Sequence, residues 1–179
     1  LEIRDSISCS SNMGRIGGVQ GLNLGENCMT IGTIAHEVAH TLGLFHTQSR
    51  YDRDDYVGIE WENIEENMRH NFKIENMDTA DTFDIPYEFG SVMHYSEFDF
   101  GMNTEKPTLI AKTPNTLYQH SMLGRMPTFF DVLLMNHHLN CFSRCSNSIK
   151  CENGGVQDVN NCTKCKCPMG WDGNNCESR

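Results

Sequence analysis

The run His36-Glu37-Val38-Ala39-His40-Thr41-Leu42-Gly43-Leu44-Phe45-His46 allows few backbone paths. On a helix, positions i and i+4 share a face, so His36 and His40 project their imidazoles side by side. Glu37 points about a quarter turn away, close to whatever the imidazoles hold but not on it. A third histidine can join the same ion only if the chain leaves the helix. Gly43 supplies that exit, because glycine adopts the left-handed conformation that ends helices, and His46 can then swing back. Five fixed identities at fixed spacing arise by chance at about one start position in ten million. Ile31, Ile34, Ala35, Val38 and Leu42 keep helical spacing through the same stretch, which predicts a helix from about Thr30 to Leu44. H-E-x-x-H-x-x-G-x-x-H is the extended zinc pattern. Three neutral imidazoles from His36, His40 and His46 would hold one Zn²⁺ per chain and leave a position for water, as catalytic sites do and closed structural sites do not.

The 179 residues suffice for one medium domain and a small module. A net charge of −10 argues against nucleic acid, whose binders carry basic patches. The acidic run between Tyr51 and Asp84 reads as a solvated face. No apolar run approaches the length of a membrane span, so none is expected. The first residue is Leu1 and no signal-peptide pattern precedes the fold, so a processed chain or a fragment is expected. There are nine cysteines, six of them between Cys145 and Cys176. That clustering predicts a disulfide framework and a secreted, extracellular protein. The odd count leaves at least one cysteine without a partner in this chain.

Along the chain, Leu1–Ile7 alternates loosely and reads as a strand. Cys9 and Cys28 flank one Gly- and Ser-rich loop and are expected to bond to each other. Ile59–Phe72 reads as one or two helical turns, and Pro107 and Pro114 mark an irregular region. Thr128–His138 reads as an amphipathic helix closing the first domain. His70, His94, His120, His137 and His138 are assigned no metal role.

A second constellation is Ser91-Val92-Met93-His94-Tyr95. Downstream of an extended zinc pattern, it resembles the Met-turn of the metzincins, in which a methionine side chain forms an apolar floor beneath the metal ligands. Cys9–Gly18, His36–Tyr56, Tyr87–Tyr95, Lys106-Pro107-Thr108 and Phe129-Phe130-Asp131 resemble one metzincin family, the astacins. The resemblance covers about residues 1 to 141. It implies an α+β metzincin catalytic domain, N-terminally truncated because the family's domain extends further upstream. It also implies the Cys9–Cys28 disulfide, an upstream partner for Cys141, and Tyr95 as a second catalytic residue beside Glu37. The family carries Glu after the third zinc histidine, where it anchors the mature N-terminus. Thr47 stands there in this chain, which puts that anchor in question. Part of the cover of the zinc helix would also lie upstream, so Ile31, Ile34 and Val38 are expected to face water.

Residues 145–177 resemble an EGF-like module, with Asn153-Gly154-Gly155 and Gly170-Trp171-x-Gly173 between the cysteines. Six cysteines can pair in fifteen ways. The resemblance implies Cys145–Cys162, Cys151–Cys165 and Cys167–Cys176; a Cys-rich zinc site is the alternative. The acidic residues of calcium-binding EGF modules are missing, so calcium is not expected. Asn161-Cys162-Thr163 fits a glycosylation sequon.

These observations lead to the expectation of a secreted zinc endopeptidase acting on extracellular polypeptides. Glu37 would be the general base toward a zinc-activated water and Tyr95 the donor to the oxyanion. By resemblance, substrate would lie extended along the edge strand near Cys9–Met13, and the EGF-like module would make protein contacts. The competing readings are a non-catalytic adhesion protein on a protease fold and an inactive fragment of such a protease.

Overall fold

A computed structural model of the chain describes residues 1–112 and 116–179. Pro114 lies outside them. The described residues form two compact units, Leu1–Thr128 and Phe129–Arg179.

The first unit opens with a three-stranded sheet of β1 (Glu2–Asp5), β2 (Ser10–Ser11) and β3 (Gly21–Leu24), in the order β1-β3-β2. β1 runs parallel to the central β3 and β2 antiparallel to it. Only the middle of the Leu1–Ile7 stretch is strand. The Cys9–Cys28 disulfide closes the loop around β2 and β3.

Helix α1 (Ile31–Thr41) follows. Thr30 caps it: its Oγ1 accepts from the Thr33 N–H at 3.1 Å, satisfying one of the amides that a helix start leaves unpaired. At the other end Gly43 has φ 103. The Gly43 N–H returns to His40 O at 2.9 Å and the Leu44 N–H to Ala39 O at 3.0 Å. This pair of hydrogen bonds is a Schellman cap, sealed by buried Leu44. The helix is therefore shorter than Thr30–Leu44 by its two flanking caps.

Ile34 and Val38 pack against Leu22, Leu24 and Cys28. They do not face water, because β3 covers that face of α1; of the three residues expected to be open, only Ile31 is, at 68 % exposure.

A second core forms around Val57, Ile64, Phe72, Tyr87, Phe89, Leu109 and Met122. β4 (Val57–Ile59) and β5 (Leu109–Ala111) pair antiparallel across it. The region around Pro107 is thus less irregular than expected: Pro107 precedes the strand and removes no ladder donor. Trp61–Asn63 and Glu66–Phe72 are 3-10 turns, the latter delivering Phe72 to the core.

In the second unit, α2 (Phe129–His138) precedes a 3-10 turn at Cys141–Arg144 and the hairpin of β6 (Val156–Asp158) and β7 (Asn161–Lys166). The cysteines pair 145–162, 151–165 and 167–176. Cys141 is a free thiol. Leu133 and Cys176 are the buried apolar residues here, so disulfides stand in for a core.

Candidate active site

α1 presents His36 and His40 on one face, and the Gly43 turn brings His46 to meet them. The Nε2 atoms of His36 and His46 lie 3.2 Å apart, those of His40 and His46 3.1 Å apart. The other ring nitrogens of His36 and His40 are committed. His36 Nδ1 donates to Val92 O and His40 Nδ1 to Leu44 O, each at 2.7 Å. A neutral imidazole that donates from Nδ1 has only a lone pair at Nε2. The short contacts therefore set the Nε2 lone pairs of His36 and His40 against the Nε2 of His46, and a cation lets all three nitrogens act as acceptors toward one point. Tetrahedral zinc with nitrogens at its usual bond length spaces them about 3.3–3.4 Å apart, which these residues fit. Among the described residues, this is the group of His, Cys, Asp or Glu side chains able to hold a metal ion.

Charge favours the same state. Burial, reinforced by His36, lowers the His40 pKa to about 4 against the opposing Leu44 hydrogen bond. Burial, then His40, His36 and His94, lowers that of His46 to about 2. Both rings stay neutral, as metal ligands must.

Glu37 is 6 % exposed and points into the same cleft as His36. Its Oε2 accepts from Ser11 Oγ at 3.0 Å, and the same hydroxyl reaches Glu37 O at 2.8 Å. Ser11 belongs to β2, so the sheet edge holds the carboxylate.

The Ser91–Tyr95 segment is tied to both ends of the histidine set. Val92 O receives His36, and Met93 O accepts from the Thr47 N–H at 2.9 Å, one residue past His46. The Met93 side chain is buried. Thr47 Oγ1 donates to Ser91 Oγ at 2.9 Å, so the residue that departs from the family pattern serves as a further tie to this turn. Tyr95 packs its ring on His46 at 4.5 Å between centroids and edge-on to Phe72 at 5.7 Å. Burial, with Asp99 adding, pushes its hydroxyl up to about 12, so it is a proton-bearing donor at neutral pH.

Three contributors escaped the sequence reading: Ser11, Gln48 and His94. Gln48 Oε1 accepts from the Tyr95 N–H at 3.1 Å. His94 is 1 % exposed, its Nδ1 donating to Tyr95 O at 2.7 Å while Nε2 accepts from the Tyr87 hydroxyl at 2.8 Å. Its place inside the Ser91–Tyr95 pentapeptide was the one available signal. The cleft beside His36, Glu37 and Tyr95 has a volume of about 690 Å³.

A three-histidine cluster on a capped helix, tied by hydrogen bonds to a methionine turn, defines a metzincin. The family model described as Astacin, a peptidase family, matches residues 1–140, and the chain belongs to the astacin family. It is 42% identical over 173 residues to zinc metalloproteinase nas-31 of Caenorhabditis elegans, covering 96% of this chain and 28% of that protein. It is 40% identical over 176 residues to zinc metalloproteinase dpy-31 of Haemonchus contortus, covering 97% and 32%. The chain thus spans about a third or less of these curated relatives. Among solved structures, the hatching enzyme zinc-protease High choriolytic enzyme 1 of Oryzias latipes superposes with a TM-score of 0.71 at 32% identity, covering 77% of this chain and 67% of that one.

Proposed function

We propose that this chain carries the metal centre and catalytic base of a secreted, zinc-dependent endopeptidase of astacin type. The observation that carries the reading is the convergence of three Nε2 atoms, two of them on rings whose other nitrogen is already spent on a backbone carbonyl. His36, His40 and His46 would hold the ion. When bound, zinc supplies Lewis acidity, which polarises a carbonyl and eases loss of a proton from water. Glu37 accepts that proton on its carboxylate and passes it to the departing amine. Ser11 holds Oε2 from the sheet side and so aims the carboxylate. Tyr95 keeps its proton and donates it as a hydrogen bond to the developing oxyanion. The free edge of β2, beside Glu37, offers backbone groups to an extended polypeptide.

We read residues 1–141 as astacin-type catalytic-domain sequence and 145–177 as an EGF-like module that makes protein contacts, supported by its three-disulfide pairing. The density of disulfides favours an extracellular setting.

Metal analysis tests the centre. One zinc per chain is expected in the native protein, and loss of stoichiometric zinc in His36→Ala and in His40→Ala, because two imidazoles fall short of the usual ligand count. Tight zinc persisting in either variant would refute the ligand set.

A further inference from the structure

Tyr95 is held by its backbone as well as by its ring. Its N–H donates to Gln48 Oε1 at 3.1 Å, and its carbonyl accepts from the His94 ring at 2.7 Å. Side chains thus pin both peptide groups that flank its Cα, and the phenol keeps only its own side-chain rotations.

Gln48 is 0 % exposed and lies in the 3-10 turn Thr47–Ser49, directly after the third histidine. Its main-chain carbonyl accepts from Arg53 Nη1 at 3.0 Å, and the same nitrogen donates to Phe72 O at 2.7 Å. Phe72 is the ring that meets Tyr95 edge-on. One guanidinium, 4 % exposed, therefore ties together two residues that touch Tyr95, one through its backbone and one through its ring. Asp54 accepts from Arg53 Nε at 2.8 Å, so the buried cation keeps an anionic partner.

The other end of the Gln48 amide separates a positioning role from mere packing. Nε2 is buried and has no hydrogen-bond partner among the described residues. An unpaired buried donor costs stability, and native folds keep few of them. A residue that only filled this space would be apolar and would carry no such donor. The side-chain amide uses its acceptor end alone, and uses it on Tyr95.

We propose that Gln48, braced by Arg53, is a positioning residue for the reaction. It acts through Tyr95 by fixing the backbone from which the phenol reaches the oxyanion. This rests on the reading of Tyr95 as the oxyanion donor and adds the group that aims it.

Gln48→Met is the test variant. It keeps nearly the same volume and exchanges one unpaired donor, Nε2, for another, the Tyr95 N–H, so folding should change little. With labelled casein and the zinc-loaded 179-residue chain, kcat should fall by about ten- to a hundredfold while KM stays within about twofold. In the Tyr95→Phe background the same substitution should lower kcat by less than about twofold, because the group it aims is gone. Gln48→Glu, which keeps an acceptor oxygen, should recover most of the lost kcat. Amide-resolved hydrogen exchange gives a readout independent of catalysis. The Tyr95 amide should exchange at least about tenfold faster in Gln48→Met than in the native chain, and near the native rate in Gln48→Glu. If Gln48→Met does not fold, Gln48→Asn, which draws the carbonyl back by one carbon–carbon bond, takes its place. An equal loss of kcat in both backgrounds, or an unchanged exchange rate at Tyr95, overturns the proposal. Faster exchange at Tyr95 with no cleavage by the native chain supports the hold on Tyr95 and sinks the peptidase reading instead.

Discussion

At Glu37 and His94 the chemistry depends on single atoms. Glu37→Gln keeps the shape and the Ser11 hydrogen bond but cannot take up a proton at neutral pH. The variant should retain its zinc by metal analysis and lose about 10²–10⁴ in peptide cleavage, the usual worth of a general base; near-native turnover would remove Glu37 from that role. His94 makes a different prediction. Burial lowers its pKa to about 4, against the opposing bond to Tyr95 O. Between pH 6.5 and about 4 the unfolded chain binds a proton at this ring and the folded chain does not. Its stabilisation is therefore complete above pH 6.5, falls as the pH drops through that window, and levels off below it, by at most roughly 3 kcal/mol. Urea unfolding of native and His94→Gln protein at about pH 7.5 and about pH 4.5 checks this through the double difference, in which the histidines that His94 does not touch cancel. Equal pH slopes in the two proteins would contradict it.

At the scale of the element, the C-terminal cap of α1 is what gathers the three histidines. Gly43 at φ 103 reverses the chain so that His46 faces His36 and His40, and the Leu44 carbonyl in the same turn orients His40. Gly43→Ala places a Cβ in a conformation that costs an L-residue about 1–2 kcal/mol. Relief of that strain unwinds the cap and moves two ligands at once. The expected result is a melting point lower by several degrees together with weakened zinc binding, measured by competition with a chromophoric chelator. A stability loss with unchanged zinc affinity would show that the cap does not govern ligand placement.

Across the whole molecule the two units are stabilised by different means. The first has two apolar cores, a disulfide and a three-histidine cluster able to hold a metal ion; the second rests on three disulfides around a short hairpin. Removing zinc with a chelator should lower the stability of the first unit, by about 2.7 kcal/mol when the ion had been present at about a hundredfold its Kd, and leave the hairpin unmoved. Mild reduction should collapse the hairpin, since each such bridge contributes about 2–4 kcal/mol. Amide-resolved hydrogen exchange under the two treatments separates them; a hairpin that responds to chelation would mean that the units are not independent in this sense. Under non-reducing conditions alkylation should label Cys141 and no other cysteine.

Much of the site was legible because it is local. The i,i+4 spacing of His36 and His40, the glycine three residues on, and His46 beyond it are fixed by helix period and one residue's freedom at positive φ, so eleven consecutive residues suffice to read them. The pairing within the cysteine-rich tail was not legible from spacing alone, which left fifteen possibilities; it followed from resemblance, and the fold agrees. Short elements were harder. β4 and β5 have three residues each, too few to show alternation, and exist because they pair with each other. The pairings that orient the site were not legible in the sequence, even where a partner such as Val92 lay inside a recognised motif. Ser11 reaches Glu37 across 26 positions and Val92 reaches His36 across 56. A hydrogen bond between residues so far apart imposes no period and no composition on the chain. Whether Ile34 and Val38 met β3 or water, and whether His94 was a surface histidine or a buried one, could be decided only by which segments packed together, since burial is a property of neighbours brought in by the fold.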